Sequence, residues 1–123
     1  MITGKIVDNQ EAIIELEVIG INRPEKIEVV IDTGFTGELT LPSDLIDRLG
    51  LPRVGDLPAI LGDGNEVDVD LYLGIVLWQG EERIVQVLST DDSKALVGMS
   101  LLYGNRLILD VVTDGEITIE TLP

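Results

Sequence analysis

The sequence predicts an all-β protein, and two observations carry that prediction. Apolar and polar residues alternate along several stretches, as they do in strands with one face covered. Turn-forming residues separate those stretches at short intervals, which favours a barrel or sandwich of many short strands. Taken in order, a first strand is expected at 2–7. In the second, Ala12, Ile14, Leu16 and Val18 share one side while Glu11, Glu15 and Glu17 take the other. A third is expected at 25–32, after the turn residues Asn22-Arg23-Pro24. Ser43 is placed to cap a short helix over Asp44–Leu49, with Leu45, Ile46 and Leu49 inward and Gly50 as its stop. Strand 54–61 follows, and Gly62-Asp63-Gly64-Asn65 forms a hairpin tip. From Val67 to Leu77 every odd position is apolar, which predicts one long strand with its odd side buried. Gln79-Gly80 turns into strand 82–89, and a weaker helix is expected over Gly98–Tyr103, ending at Gly104. Strands 106–112 and 116–122, joined through Asp114-Gly115, close the chain.

Composition narrows the chemistry. At 123 residues, 45% hydrophobic and 25% charged, the chain reads as one globular domain spanning 1–123. Aromatic residues are only 3%, so the core must be built from Ile, Val and Leu. The sequence has neither Cys nor His. That removes disulfides, thiol nucleophiles, Ser-His and Cys-His catalysis and the commonest zinc ligands. Carboxylates remain as the main catalytic candidates. Eight basic residues against 23 acidic ones give a net charge of −15, which repels nucleic acid and anionic membranes and favours solubility. Met1–Gln10 lacks the basic and apolar regions of a signal peptide, and no apolar run approaches the ~20 residues of a membrane span, so the expected location is the cytoplasm.

One segment stands apart. Val29-Val30-Ile31-Asp32-Thr33-Gly34-Phe35 ends an apolar strand in an aspartate followed by Thr-Gly. Aspartate is a poor strand residue, and apolar neighbours raise its desolvation cost unless it is hydrogen-bonded or shares a proton. Gly34 permits close approach of its backbone amide to the carboxylate. Asp-Thr-Gly is also ordinary turn chemistry. Its context adds weight: Leu96-Val97-Gly98 is an apolar pair followed by glycine, the hairpin tip 62–65 carries two glycines, and the chain ends in Leu107–Val112, a turn and Glu116–Leu122.

In order and spacing these pieces resemble the retropepsin-like aspartic proteases, and most closely the small prokaryotic type whose motif reads Asp-Thr-Gly-Phe. The resemblance covers roughly residues 10 to 120. It implies a closed β-barrel with a flap hairpin and one or two short helices. It also implies that each chain carries half of a two-fold active site, completed in a homodimer. Asp32 would be the catalytic carboxylate, and Thr33 would make hydroxyl contacts across the subunit boundary. Gly34 would sit where the substrate backbone passes. Gly62, Asp63, Gly64 and Asn65 would form the flap, and Leu96, Val97 and Gly98 would support the aspartate loop. The implied activity is an endopeptidase acting on peptide or protein substrates without metal or cofactor. Phe35 departs from the Ala or Ser of better-known relatives, and its ring would narrow the cleft or fill a pocket. The alternative is a peptide- or protein-binding module that keeps the fold and cleaves nothing. Because retropepsin dimers interleave their ends, the resemblance points to Glu116–Leu122 and Met1–Val7 as the interface.

Other constellations carry less. An EF-hand reading of the acidic stretch from Asp63 fails, because Val67 and Gly74 occupy positions that need oxygen ligands. Asp68 and Asp70 alternate with valines and read as a solvated strand face. Trp78 closes a long strand, where packing is the simpler role. Gly98-Met99-Ser100 has no elbow motif and no His partner, which argues against a serine hydrolase.

Overall fold

The structure, a computed structural model, describes residues 1–21, 23–60 and 63–123. Ten strands and two short helices follow in the order β1 (Ile2–Ile6), β2 (Ala12–Ile19), β3 (Pro24–Ile31), β4 (Leu39–Pro42), α1 (Ser43–Leu49), β5 (Arg53–Ile60), β6 (Glu66–Trp78), β7 (Glu81–Thr90), β8 (Ala95–Val97), α2 (Met99–Leu102), β9 (Asn105–Leu109) and β10 (Glu116–Thr121). One hydrogen-bonded sheet contains them all, in the order β5-β6-β7-β4-β8-β3-β2-β1-β10-β9. A further pairing of β6 with β2, through Val18↔Val76, closes six of these strands into a barrel. The all-β barrel with two short helices is therefore the observed architecture.

The core is aliphatic, as the low aromatic content requires. Ile14, Leu16 and Val18 from β2 meet Val29, Leu39, Leu41, Val76, Val85, Val87 and Val97 inside the barrel. Ile117 and Ile119 extend the same cluster beneath β1 and β10. Leu45, Ile46 and Leu49 turn the inner face of α1 onto it. Gln79 and Gly80 both have positive φ, which suits a two-residue turn between twisted strands and lets β6 and β7 pair tightly from Trp78↔Glu81 onward.

Four expectations need correction. First, the buried side of β6 is the even one, where Gly74, Val76 and Trp78 face the core, while Val67, Leu73 and Leu77 are exposed. The first half of β6 belongs to the hairpin with β5, and its second half closes the barrel by pairing with β2. Alternation identified the strand but could not say which face the closing pair turns inward, because the even side also carries Tyr72, Val76 and Trp78. The odd side forms an apolar outer surface, with a depression of about 340 Å³ lined by Ile19, Ile21, Leu51, Pro52, Ile75 and Ile84.

Second, Ser43 is not a side-chain cap: it lies within α1, whose cap position is Pro42, and Asp44 Oδ1 accepts the hydrogen bond from the Leu45 amide. Gly50 does end the helix in the left-handed region, with φ of 69°. Third, β4 and β8 are strands that the alternation pattern does not predict. Leu39, Thr40 and Leu41 are all buried, and so are Ala95 and Val97, so neither segment shows the alternation of a half-exposed strand. Fourth, β9 stops at Leu109, because Asp110–Gly115 folds into a turn in which the Ile6 amide donates to Gly115 O and the Asp114 amide to Ile6 O. Among the described residues no helix is long and apolar enough to cross a membrane.

The β6 assignment is checked by paired substitutions measured by denaturant unfolding. Val76→Ala should cost about 2 kcal/mol, because it opens space in a packed core. Leu77→Ala, one residue along on the outer face, should cost less than about 1 kcal/mol.

Candidate active site

Asp32 sits where β3 gives way to a loop. The last pair in the β3–β8 ladder is Ile31↔Val97, and the Asp32 amide continues it by donating to Val97 O at 2.9 Å. The chain then turns, with the Phe35 amide donating to Asp32 O at 3.2 Å. Inside that turn the Gly34 amide donates to Asp32 Oδ1 at 2.9 Å. Asp32 Oδ2 has no hydrogen-bond partner among the described residues. Asp32 is half-buried, while Thr33 and Gly34 are exposed. A Cβ added at Gly34 would meet Asp32 Oδ1 at 3.2 Å and no other atom within contact range. Glycine here therefore leaves the carboxylate room while its own amide orients it.

Leu96, Val97 and Gly98 lie behind this loop. β8 runs parallel to β3 and antiparallel to β4, with Leu39↔Val97 and Thr40↔Leu96 on the second side. Three residues not singled out from the sequence hold this junction. Thr40, which is buried, accepts the Leu96 amide on its hydroxyl at 3.0 Å. Ser100 donates its hydroxyl to Thr36 O and its amide to Gly37 O. Glu38 accepts the Gln86 amide at 2.9 Å and approaches the Arg83 guanidinium at 3.4 Å. Thr40 carries the only readable signal, a polar β-branched residue between two leucines. Nothing local marks Glu38 or Ser100, because their partners are distant in sequence.

Phe35 does part of what its size suggests. Its ring fills space, but that space lies between two glycines of the loop framework. A Cβ at Gly37 would meet Phe35 Cζ at 2.5 Å, and one at Gly98 would meet Phe35 Cδ2 at 2.5 Å. The backbone is tied at the same place, where the Met99 amide donates to Phe35 O at 2.8 Å and the Gly98 amide to Glu38 O at 3.0 Å. The ring thus wedges the aspartate loop against the start of α2.

The hairpin of β5 and β6 pairs from Ile60↔Glu66 down to Arg53↔Tyr72. At its tip Asp63 accepts both the backbone amide and the side-chain amide of Asn65, each at 2.9 Å, and Gly64 takes a φ of 86°. Gly62 lies outside the described residues. Among the described residues no three carboxylates or other ligating side chains are grouped to hold a metal ion. What the loop offers chemically is one oriented carboxylate with an uncommitted oxygen, capable of general acid or base work if a partner group stands opposite.

Several solved structures share the fold. A retropepsin-like aspartic protease from Rickettsia conorii superposes with a TM-score of 0.66 at 19% identity, covering 98% of this chain and 92% of that one. The protease of equine infectious anaemia virus (EIAV), solved with the inhibitor HBY-793, gives 0.57 at 18% identity, over 77% and 88%. The simian foamy virus protease gives 0.54 at 21% identity, over 73% and 90%. No protein-family model matches the sequence, and no curated protein sequence does. The fold is that of the retropepsin-like aspartic proteases.

Two measurements test the framework around the loop. Thr40→Val should destabilise by about 1–3 kcal/mol, since it strands the part-buried Leu96 amide without its side-chain acceptor. Gly37→Ala and Gly98→Ala should each cost about 1–3 kcal/mol by overpacking. Removing the ring in Phe35→Ala should rescue Gly37→Ala, whose close contacts are ring atoms. It should not rescue Gly98→Ala, whose Cβ also collides with the backbone oxygens of Gly37 and Phe35.

Proposed function

We propose that this chain is one half of an aspartic endopeptidase, active as a homodimer in which two Asp32 carboxylates form the catalytic dyad. The observation that carries the reading is the Asp32 carboxylate, oriented by the Gly34 amide on a loop at the end of β3. It does so in a fold shared with enzymes described as proteases.

The chemistry follows from bringing two such carboxylates together. At close range both cannot be ionised cheaply, so the pair holds one proton between them. That proton belongs to the pair rather than to either residue. The ionised member takes a proton from water as the water attacks the scissile carbonyl. The protonated member donates a hydrogen bond to the developing oxyanion and then helps protonate the leaving nitrogen. Residues of this chain supply every group in that cycle. In the same reading Thr33 makes hydroxyl contacts beneath the dyad and Gly34 faces the substrate backbone. Asp63, Gly64 and Asn65 then belong to the flap over the bound peptide, together with Gly62, and Leu96, Val97 and Gly98 brace the loop.

The test is cleavage profiling of a diverse peptide mixture by mass spectrometry from about pH 3.5 to 7.5, a window that brackets carboxylate-dyad titration. The wild type should cleave with a bell-shaped pH dependence. A folded, dimeric Asp32→Asn variant should lose at least about 100-fold in rate, the lower bound for removing a general acid–base group. Cleavage that survives in Asp32→Asn would end the dyad reading. A dimeric wild type that cleaves nothing would favour the non-catalytic binding module.

A further inference from the structure

A row of isoleucines crosses the outer face of the barrel. Ile19 of β2 pairs with Ile75 of β6, and Ile75 pairs in turn with Ile84 of β7. This row is the floor of the apolar depression of about 340 Å³ on that face. Leu51 and Pro52 form a wall, tied to the sheet by the Leu73 amide, which donates to Pro52 O at 3.1 Å. Ile21 forms another: its amide donates to Leu49 O at 3.0 Å, and its side chain lies against Gly50, where an added Cβ would meet Ile21 Cδ1 at 2.6 Å. Every described side chain in the lining is apolar. Even so, Ile21 and Ile84 are left 77% and 68% exposed. A concave, aliphatic lining is the usual form of a small-molecule site, and this volume lies at the lower end of their range, roughly 300–1,000 Å³.

Charge lies at one end of it. Gly20 lines this depression and also a neighbouring one, whose other walls are Leu49, Glu25, Arg23 and Arg48. With no side chain at Gly20, nothing from that residue divides the two. Arg48 is committed to Glu25. Arg23 is exposed and makes no ion pair among the described residues. In a chain with eight basic residues against 23 acidic ones, an uncommitted guanidinium beside an apolar hollow runs against the prevailing charge.

We propose that the two depressions together bind an unbranched aliphatic monocarboxylate of about eight to ten carbons, with its chain on the isoleucine row and its carboxylate at Arg23. Neighbouring strands lie about 4.8 Å apart, so three of them give a floor of roughly 10 Å, the span of an extended chain of about eight carbons. Each methylene laid on that floor leaves water for apolar surface. The guanidinium offers parallel N–H donors that match a carboxylate. A cationic head would meet two guanidinium groups. A dianionic head would be repelled more than a monoanion by Glu25 and by the chain's charge of −15. The site stands apart from the peptidase reading, which uses none of these residues.

Amide chemical-shift titrations of the nitrogen-labelled protein test the inference, with octanoate, decanoate and octanol each kept below its aggregation concentration. Shifts should saturate and centre on Ile19, Gly20, Leu51, Ile75 and Ile84. Decanoate should bind about tenfold more tightly than octanoate, as two further buried methylenes require. Octanoate should bind more tightly than octanol. Arg23→Gln should weaken octanoate by about fivefold, the upper range for an exposed ion pair, and leave octanol unchanged. Ile84→Glu, native by circular dichroism, should weaken both ligands by about tenfold or more, since it sets a charge in the apolar floor. Val67→Glu, on the outer face of β6 beyond the depression, should alter neither. Shifts that never saturate, or that centre elsewhere, would overturn the site. Octanol binding as tightly as octanoate, with Arg23→Gln unchanged for both, would overturn the carboxylate ligand. Binding that survives intact in folded Ile84→Glu would overturn the isoleucine floor. Each of these results leaves the peptidase reading where it stood, because none depends on cleavage or on dimerisation.

Discussion

The insertion of β8 between β3 and β4 is the constraint on which the site depends. Only three residues long, β8 is hydrogen-bonded on both sides, parallel to β3 and antiparallel to β4. Every contact that shapes the Asp32 loop from behind comes from this strand or from the residues immediately after it. Val97 O receives the Asp32 amide, Gly98 admits the Phe35 ring, and Met99 and Ser100 bind the carbonyls of Phe35, Thr36 and Gly37. Bringing these distant segments together costs loop-closure entropy, and complete burial of Val29, Leu39 and Val97 offsets it. The apolar junction and the polar loop are one structure: the first supplies the energy and the second uses the fixed geometry.

Fixed geometry matters because the carboxylate is exposed enough to meet a partner. A loop held only by its own turn would sample several orientations. Here one carboxylate oxygen is bound by an amide two residues on, and the turn that carries the amide is clamped by a phenyl ring and four backbone carbonyls. On the proposed reading the acid–base work falls to carboxylates, since the sequence has no histidine, and that work needs two groups with different protonation. On the dimeric reading proposed above, a rigid support would let a second copy complete the site without rearranging either one.

Twenty-three acidic residues lie mostly on the outward faces of strands and in turns, while the buried interior of the described residues holds no charged side chain. The edge strand β5 is protected by Pro58 and Asp56. Acidic residues spread over the outer surface favour solubility through mutual repulsion between molecules.

The strands with one wet face, such as β2 with Glu15 and Glu17 outward, were legible in the sequence, as were the hairpin at Gln79-Gly80, the helix stop at Gly50 and the aspartate at the end of an apolar run. Each is written in residues close together, where period and turn chemistry operate. Four features could not be read that way: the strand status of Leu39–Pro42 and Ala95–Val97, the inward face of β6, the inward packing of Phe35, and the open edge at β9. Segments buried on both sides show no alternation, and a strand that is apolar on both sides does not reveal which one is inside. The sequence by itself determined an aliphatic β-barrel with a lone aspartate on a Thr-Gly turn. Tertiary structure decided which distant amides and carbonyls clamp that turn and which strand is left with an unpaired side, because those outcomes depend on barrel closure between residues far apart in the chain.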